Sequence, residues 1–176
     1  MKAGIVILSE LQGGMRDRIL DIQRRFDPRL AAGVPPHLTL TGSSGMGPIP
    51  TSTSVEELRQ ALEPVAKDMA PMTLRFLRPH RFMQTNVFVL PLDPNGPVRE
   101  LHERIKRSGL RYEHPRFTFT PHVTLSFFRE LSPADAKRVL AVRVDEPVVI
   151  DRISAHRTVN LINSEKLLEL TLQGAG

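Results

Sequence analysis

The 176-residue chain contains no cysteine. That absence removes a disulfide framework, a thiolate zinc site and a cysteine nucleophile, and thiols therefore say nothing about the redox compartment. Long apolar runs are missing as well. The first, Ala3 to Leu8, stops at Ser9 and Glu10; it is shorter than a signal-peptide core and far too short to cross a bilayer, so a soluble, cytoplasmic protein with no membrane partner is expected. No Gly-x-Ser-x-Gly elbow is present to expose a serine nucleophile. The length suits one domain or two small lobes sharing a core and excludes two large independent domains. With 40% hydrophobic and 24% charged residues, global disorder is excluded too.

What is abundant is arginine. It supplies 19 of the 24 basic residues, which face 19 acidic ones for a formal net charge of +5. The guanidinium fork matches phosphate oxygens better than the point charge of lysine, so the balance favours an anionic partner.

Along the chain, Ile5 to Leu8 reads as a strand. Met15, Ile19, Ile22 and Phe26 mark an amphipathic helix over 15–26, and His37 to Thr41 is a second strand after the punctuation Asp27-Pro28 and Gly33-Val34-Pro35-Pro36. Residues 42–54 are too rich in glycine, proline and hydroxyls for a regular element and read as a mobile loop. Ser54-Val55-Glu56-Glu57 has the capping-box pattern, opening a helix whose apolar face is Leu58, Leu62, Val65, Ala66 and Met69, with Pro64 as a kink or late break. Strands over 72–78 and 85–92, a helix over 97–108, a strand over 119–128, a helix opening at Ser132, and strands over 147–159 and 166–172 follow.

The chain repeats itself. Strand 5–8, helix 15–26 and strand 37–41 correspond to strand 87–90, helix 97–108 and strand 122–126, and His80-Arg81 corresponds to His156-Arg157. The whole chain, 1–176, is therefore read as a single bilobal domain built from an internal duplication of about 4–82 and 86–172, with a pseudo-twofold axis and a shared cleft.

The sharpest element of the repeat is Pro36-His37-Leu38-Thr39-Leu40 against Pro121-His122-Val123-Thr124-Leu125. From the chain's own composition such a pattern is expected roughly 0.004 times, and it occurs twice. A third His-x-Thr, at His156, is of a frequency that chance supplies. Strand residues two apart share a face, so His37 and Thr39 project together, as do His122 and Thr124, while Leu38, Leu40, Val123 and Leu125 point the other way. Two imidazoles of pKa near 6.5 can hold opposite protonation states near neutrality, one accepting a proton from a nucleophile and the other donating to a leaving group. Threonine hydroxyls can hold a phosphate between them. A metal site needs a third protein ligand, and neither motif strand contains an acidic residue, so no cofactor is expected.

Paired Pro-His-x-Thr-Leu motifs 85 residues apart resemble the 2H phosphoesterase superfamily, in particular its 2′-5′ RNA ligase-like and RNA 2′,3′-cyclic phosphodiesterase branch, over nearly the whole chain. The resemblance implies an α+β fold with two antiparallel sheets, outer helices and a central cleft. It implies hydrolysis of a 2′,3′-cyclic phosphate to a 2′-phosphate, or 2′-5′ ligation or cleavage in some members. By position, His37 and His122 are the acid/base pair, and Thr39 and Thr124 bind phosphate. An RNA end or nucleotide is the expected partner, and a monomer the expected state; a binding module using the same cleft is the alternative. Many members of that branch carry an arginine where this chain has Phe127, and Arg129 is displaced by two. Arg81 and Arg157 are the symmetric substitutes, or else solvated strand ends. His80 and His156 read as structural, and His102 and His114 belong to no constellation. Phe117 and Phe119 share one face by period two and are expected to pack rather than stack a base.

Overall fold

The apolar run at the start of the chain forms β1 (Gly4–Glu10), and the helical stripe after it forms α1 (Gly13–Phe26). A single turn, α2 (Pro28–Ala31), precedes β2 (His37–Thr41). Then come α3 (Val55–Asp68), β3 (Met72–Leu74), β4 (His80–Arg81), β5 (Phe88–Pro91), α4 (Pro97–Lys106), β6 (His122–Ser126), α5 (Pro133–Leu140), β7 (Val148–Ile150), β8 (Arg152–Thr158) and β9 (Ser164–Thr171). The computed structural model describes residues 3–42, 44–159 and 163–176; Ser43 of the expected loop lies outside the described residues.

Seven strands form one antiparallel sheet in the order β4-β5-β6-β2-β1-β8-β9, and β3 pairs with β7 in a small second sheet. The two motif strands are central neighbours, joined through the register pair Leu38↔Val123. These two residues hold the same position in their motifs, so a pseudo-twofold axis passes between them. The two expected antiparallel sheets are the halves on either side of this seam. Symmetry extends outward: β1 and β5 flank the motif strands, each with a register shift at the same place, between Ile7 and Leu8 and between Phe88 and Val89. The amide of Leu11 donates to the Pro36 carbonyl and that of Leu92 to the Pro121 carbonyl, both at 2.9 Å.

The halves exchange strands. His80 of β4 pairs with Val89 of β5, whereas His156 of β8 pairs with Val6 of β1. Each lobe therefore completes its sheet with a strand from the other half of the sequence. The expected strand over 147–159 is split between the two sheets for the same reason, with Asp151 separating β7 from β8.

One face of the large sheet carries the core. Leu38, Leu40, Val123 and Leu125 are at most 1% exposed and join Ile5, Ile7, Phe88 and Leu90 in one apolar cluster with Ile19 and Phe26 of α1, Leu58 and Leu62 of α3, and Leu101 and Ile105 of α4. Each such side chain contributes about 1.5–3 kcal/mol by leaving water. Ser54 caps α3 as its sequence predicts: its hydroxyl accepts from the Glu57 amide at 3.1 Å, and its own amide donates to Glu57 Oε2 at 2.7 Å. Pro64 sits within α3, which continues to Asp68.

The described residues of 42–54 contain no helix or strand, as their composition requires, but they are pinned rather than loose. Met46 and Ile49 are buried, Ile49 bridges Ile5, and the amides of Gly45 and Gly47 donate to the carbonyls of Phe117 and Glu113. The strand expected from 119 begins only at His122. Phe119 is buried and packs on His102, but Phe117 does not share its face: it is on the surface.

Candidate active site

Continuing the antiparallel register one residue either side of Leu38↔Val123 sets His37 opposite Thr124 and Thr39 opposite His122. All four lie on the face turned away from the core, and all four are half-buried. The two histidines are diagonal neighbours, with backbone positions roughly 7–8 Å apart by strand geometry. Val6, Leu8 and Val89, buried yet outside the core cluster, form the floor around them.

The imidazoles are fixed identically. His37 Nδ1 lies 2.8 Å from the Pro35 carbonyl, and His122 Nδ1 lies 2.6 Å from the Thr120 carbonyl. A carbonyl only accepts, so each Nδ1 carries the proton and each Nε2 is left with its lone pair when the ring is neutral. The proline that opens each motif gives its carbonyl to the amide of a residue just past the neighbouring strand, which leaves the carbonyl one residue earlier to face the ring.

Burial pushes the pKa of both rings below the ordinary histidine value. For His37 the hydrogen bond to Pro35 and the charge of Glu10 oppose that shift; for His122 the bond to Thr120 opposes it and the charge of His37 adds to it. Without an anion in the cleft, the neutral forms dominate at pH 7.

Side chains from both flanking helices hold the seam. β2 and β6 share one register pair. Gln23 of α1 donates to the Thr124 carbonyl at 2.9 Å, and His102 Nδ1 of α4 donates to the Leu40 carbonyl at 2.8 Å. Each helix thus supports the motif strand of the other lobe. His102 is 1% exposed and stacks on Phe119, with centroids 3.8 Å apart. Sequence reasoning missed this role, although Val98, Leu101, His102 and Ile105 together make the apolar stripe of α4.

Asp27 is a second residue with a role that the sequence reading missed. It is 1% exposed; its Oδ1 accepts from the Leu30 amide, and its Oδ2 accepts from the amides of Phe127 and Phe128, both at 2.7 Å. It therefore caps α2 while tying down the segment that leaves the second motif. The signal for the cap was the Asp-Pro pair itself.

The other candidates separate clearly. His156 is buried, with Nε2 3.1 Å from Ser154 Oγ and 3.3 Å from Glu10 Oε1, whereas His80 is exposed. Arg157 is paired with Glu165 at 2.9 Å, and Arg81 donates to the Thr85 carbonyl and Asn86 within its own hairpin. Arg129 Nη1 reaches the Phe26 carbonyl at 3.4 Å. Phe82 meets His122 edge-on, with centroids 5.0 Å apart. The Tyr112 hydroxyl donates to the Ile105 carbonyl and burial pushes its pKa up to about 12, which marks it as a packing residue. Among the described residues, no group of three or more His, Asp or Glu is placed to hold a metal ion, and no helix is long and apolar enough to cross a membrane.

The sequence model of the 2′-5′ RNA ligase superfamily matches residues 12–160, a span that includes both motifs. The chain belongs to that superfamily, the 2H phosphoesterases. Superfamily relatives include a Geobacillus kaustophilus protein named "Putative phosphoesterase", 30% identical over 136 residues that make up 77% of this chain and 73% of that protein. A namesake from Oceanobacillus iheyensis is 29% identical over 127 residues, 72% and 70% of the two chains. Among solved structures, TT0787 of Thermus thermophilus has a TM-score of 0.69 at 18% identity, covering 99% of this chain and 100% of the other. Escherichia coli LigT complexed with 3′-AMP has a TM-score of 0.55 at 18% identity, covering 97% and 99%. The large antiparallel sheet with its small second sheet is the 2H phosphoesterase fold, and the relatives' names support a phosphoesterase.

Proposed function

We propose that this protein is a phosphodiesterase that opens 2′,3′-cyclic phosphates at the ends of RNA or on nucleotides, leaving a 2′-phosphate, without a metal or other cofactor. The observation that carries the reading is the symmetric pair of Nδ1-anchored imidazoles, each beside the other motif's threonine on one open face. The complexes of the fold neighbour LigT with 3′-AMP and with phosphate support the ligand class.

The chemistry follows from the geometry. One neutral imidazole takes a proton through Nε2 from the attacking water as its oxygen bonds to phosphorus. The ribose oxygen leaves with a proton from Nε2–H of the other, protonated ring. The hydroxyls of Thr39 and Thr124 donate to the non-bridging oxygens, where negative charge builds up in the transition state. The bound phosphate anion raises the pKa of both rings, which offsets the effect of burial.

The direct test incubates the protein with 2′,3′-cyclic mononucleotides and an oligoribonucleotide ending in a cyclic phosphate, with chelator present, and identifies the product phosphate by NMR. A 2′-monophosphate is expected. Joining or cutting of a 2′-5′ linkage with no opening of the ring would assign the site to that reaction instead, and binding with no product would leave a recognition module.

A further inference from the structure

Two identical motifs related by a pseudo-twofold axis cannot by themselves assign different jobs to their two imidazoles; that assignment must come from where the symmetry breaks. Nδ1 anchoring, flanking prolines and strand register shifts all obey the symmetry. The residue opposite each histidine on the next strand does not. Glu10 of β1 stands opposite His37, and Pro91 of β5 stands opposite His122.

The surroundings widen that difference. Glu10 is held in place by Lys166 of β9, with Nζ 3.0 Å from Oε1, and by His156 of β8. Lys166 also pairs with Glu169 at 2.9 Å, and Glu169 with Arg152, which pairs with Asp151. Burial keeps His156 below the ordinary histidine pKa, hence neutral at pH 7. The cluster beside His37 therefore holds three carboxylates against two cations, a net charge of one negative. On the other side, β4 is the sheet edge, the exposed His80 replaces the buried His156, and the Phe82 ring makes a T-shaped contact with His122. The charged or titratable groups facing His37 are thus Glu10 from β1, His122 from β6 and His156 from β8, with Lys166 behind Glu10. Facing His122 are His37 from β2 and, beyond Phe82, His80.

We propose that Glu10 is a positioning residue that sets the division of labour: its carboxylate keeps the catalytic proton on His37, which serves as the general acid, and leaves His122 as the general base. This rests on the acid–base reading of the site. In the forward step the water proton goes to His122 Nε2, the water oxygen bonds to phosphorus, the P–O bond to the ribose oxygen breaks, and that oxygen takes the proton from His37 Nε2. Exchange with solvent restores both rings. The opposing effects on the two pKa values support the assignment, since Glu10 favours the charged form of His37 and that charge disfavours the charged form of His122.

The test measures kcat/KM against pH for the native protein and Glu10→Gln, alongside an NMR titration of the histidine ring signals. Under this proposal the native His37 titrates above His122. In Glu10→Gln the His37 pKa falls, by less than an unshielded pair would give because Lys166 shares the carboxylate. The alkaline limb of the pH profile moves down with it while the acid limb stays. A second variant, Pro91→Glu, places a carboxylate opposite His122 and should move the acid limb upward. An acid limb that shifts in Glu10→Gln reverses the roles and overturns the proposal, as does a titration in which His37 is unmoved. The ring titrations are read without substrate, so a protein inactive on cyclic phosphates defeats the functional reading and leaves the order of protonation measurable.

Discussion

Leu38 and Val123 pair across the centre of the sheet, and each is the residue between histidine and threonine of its motif. That one register pair sets the site geometry. A shift of one motif strand by a single residue would turn its polar side chains into the core and its own apolar ones outward. The cluster of four polar groups and the core beneath it are therefore specified together.

Replacing His37 or His122 by alanine should lower turnover of a cyclic phosphate by about 10²–10⁴-fold, with the circular-dichroism spectrum unchanged. The double variant should lose little more than the worse single one, because the two rings act in one step. Additive losses would show that the rings act separately.

Thr39→Val and Thr124→Val keep the branched shape and remove the hydroxyl. A hydrogen bond to a charged group is worth about 1.5–3 kcal/mol, so each variant should lose about 10–150-fold in kcat/KM. Inorganic phosphate should bind more weakly to both, as read by isothermal calorimetry.

Stability should depend on pH through the histidines. His37, His102, His122 and His156 all have folded-state pKa values below 6.5, chiefly because of burial. Above pH 6.5 both folded and unfolded forms are neutral and the four cost nothing. Below 6.5 the unfolded chain takes up protons that the folded protein resists, so stability falls toward the folded-state values. Urea midpoints measured from pH 8 to 5 should decline below about 6.5, and inorganic phosphate should reduce the decline by favouring the charged rings of the cleft.

Asp27→Ala removes the acceptor for three amides at once. Leaving buried donors unpaired and losing the cap of α2 should cost about 2–4 kcal/mol, measured by urea unfolding. Asp27→Asn keeps part of the accepting capacity and should cost less. Equal losses would show that the charge, rather than the count of acceptors, does the holding.

Gly45 has φ of +72°, and a Cβ there would clash with the Nε2 edge of the His102 ring. Gly45→Ala should therefore destabilise by more than the roughly 1–2 kcal/mol that the left-handed backbone alone costs, because the ring that it meets is stacked on Phe119 and bonded to Leu40. Thermal unfolding checks this, and an unchanged melting temperature would show that the seam tolerates the added methyl group.

The sequence carried the local facts well. Alternation in His37–Thr41 and His122–Ser126 sorts each strand into a core face and an open face, the Ser54 box starts α3, and the duplicated motif names the four polar residues. Boundaries drifted where pairing decides them: the strand read over 147–159 serves two sheets, and the approach to His122 has irregular structure because it is bound to residues 44–47 instead of to a neighbouring strand.

Periodicity and capping act over a few residues, so the chain by itself determined which side of each element is apolar and that its two halves carry the same chemistry. Which strand lies beside which depends on pairings between residues far apart in the chain, such as Gly4 with Thr158, and no local pattern encodes them. The tertiary structure alone therefore decided the exchange of β4 and β8 between lobes, the use of Gln23, Asp27 and His102 as partners for distant backbone, and the contrast between Glu10 and Pro91. Those long-range neighbours make two equivalent histidines unequal.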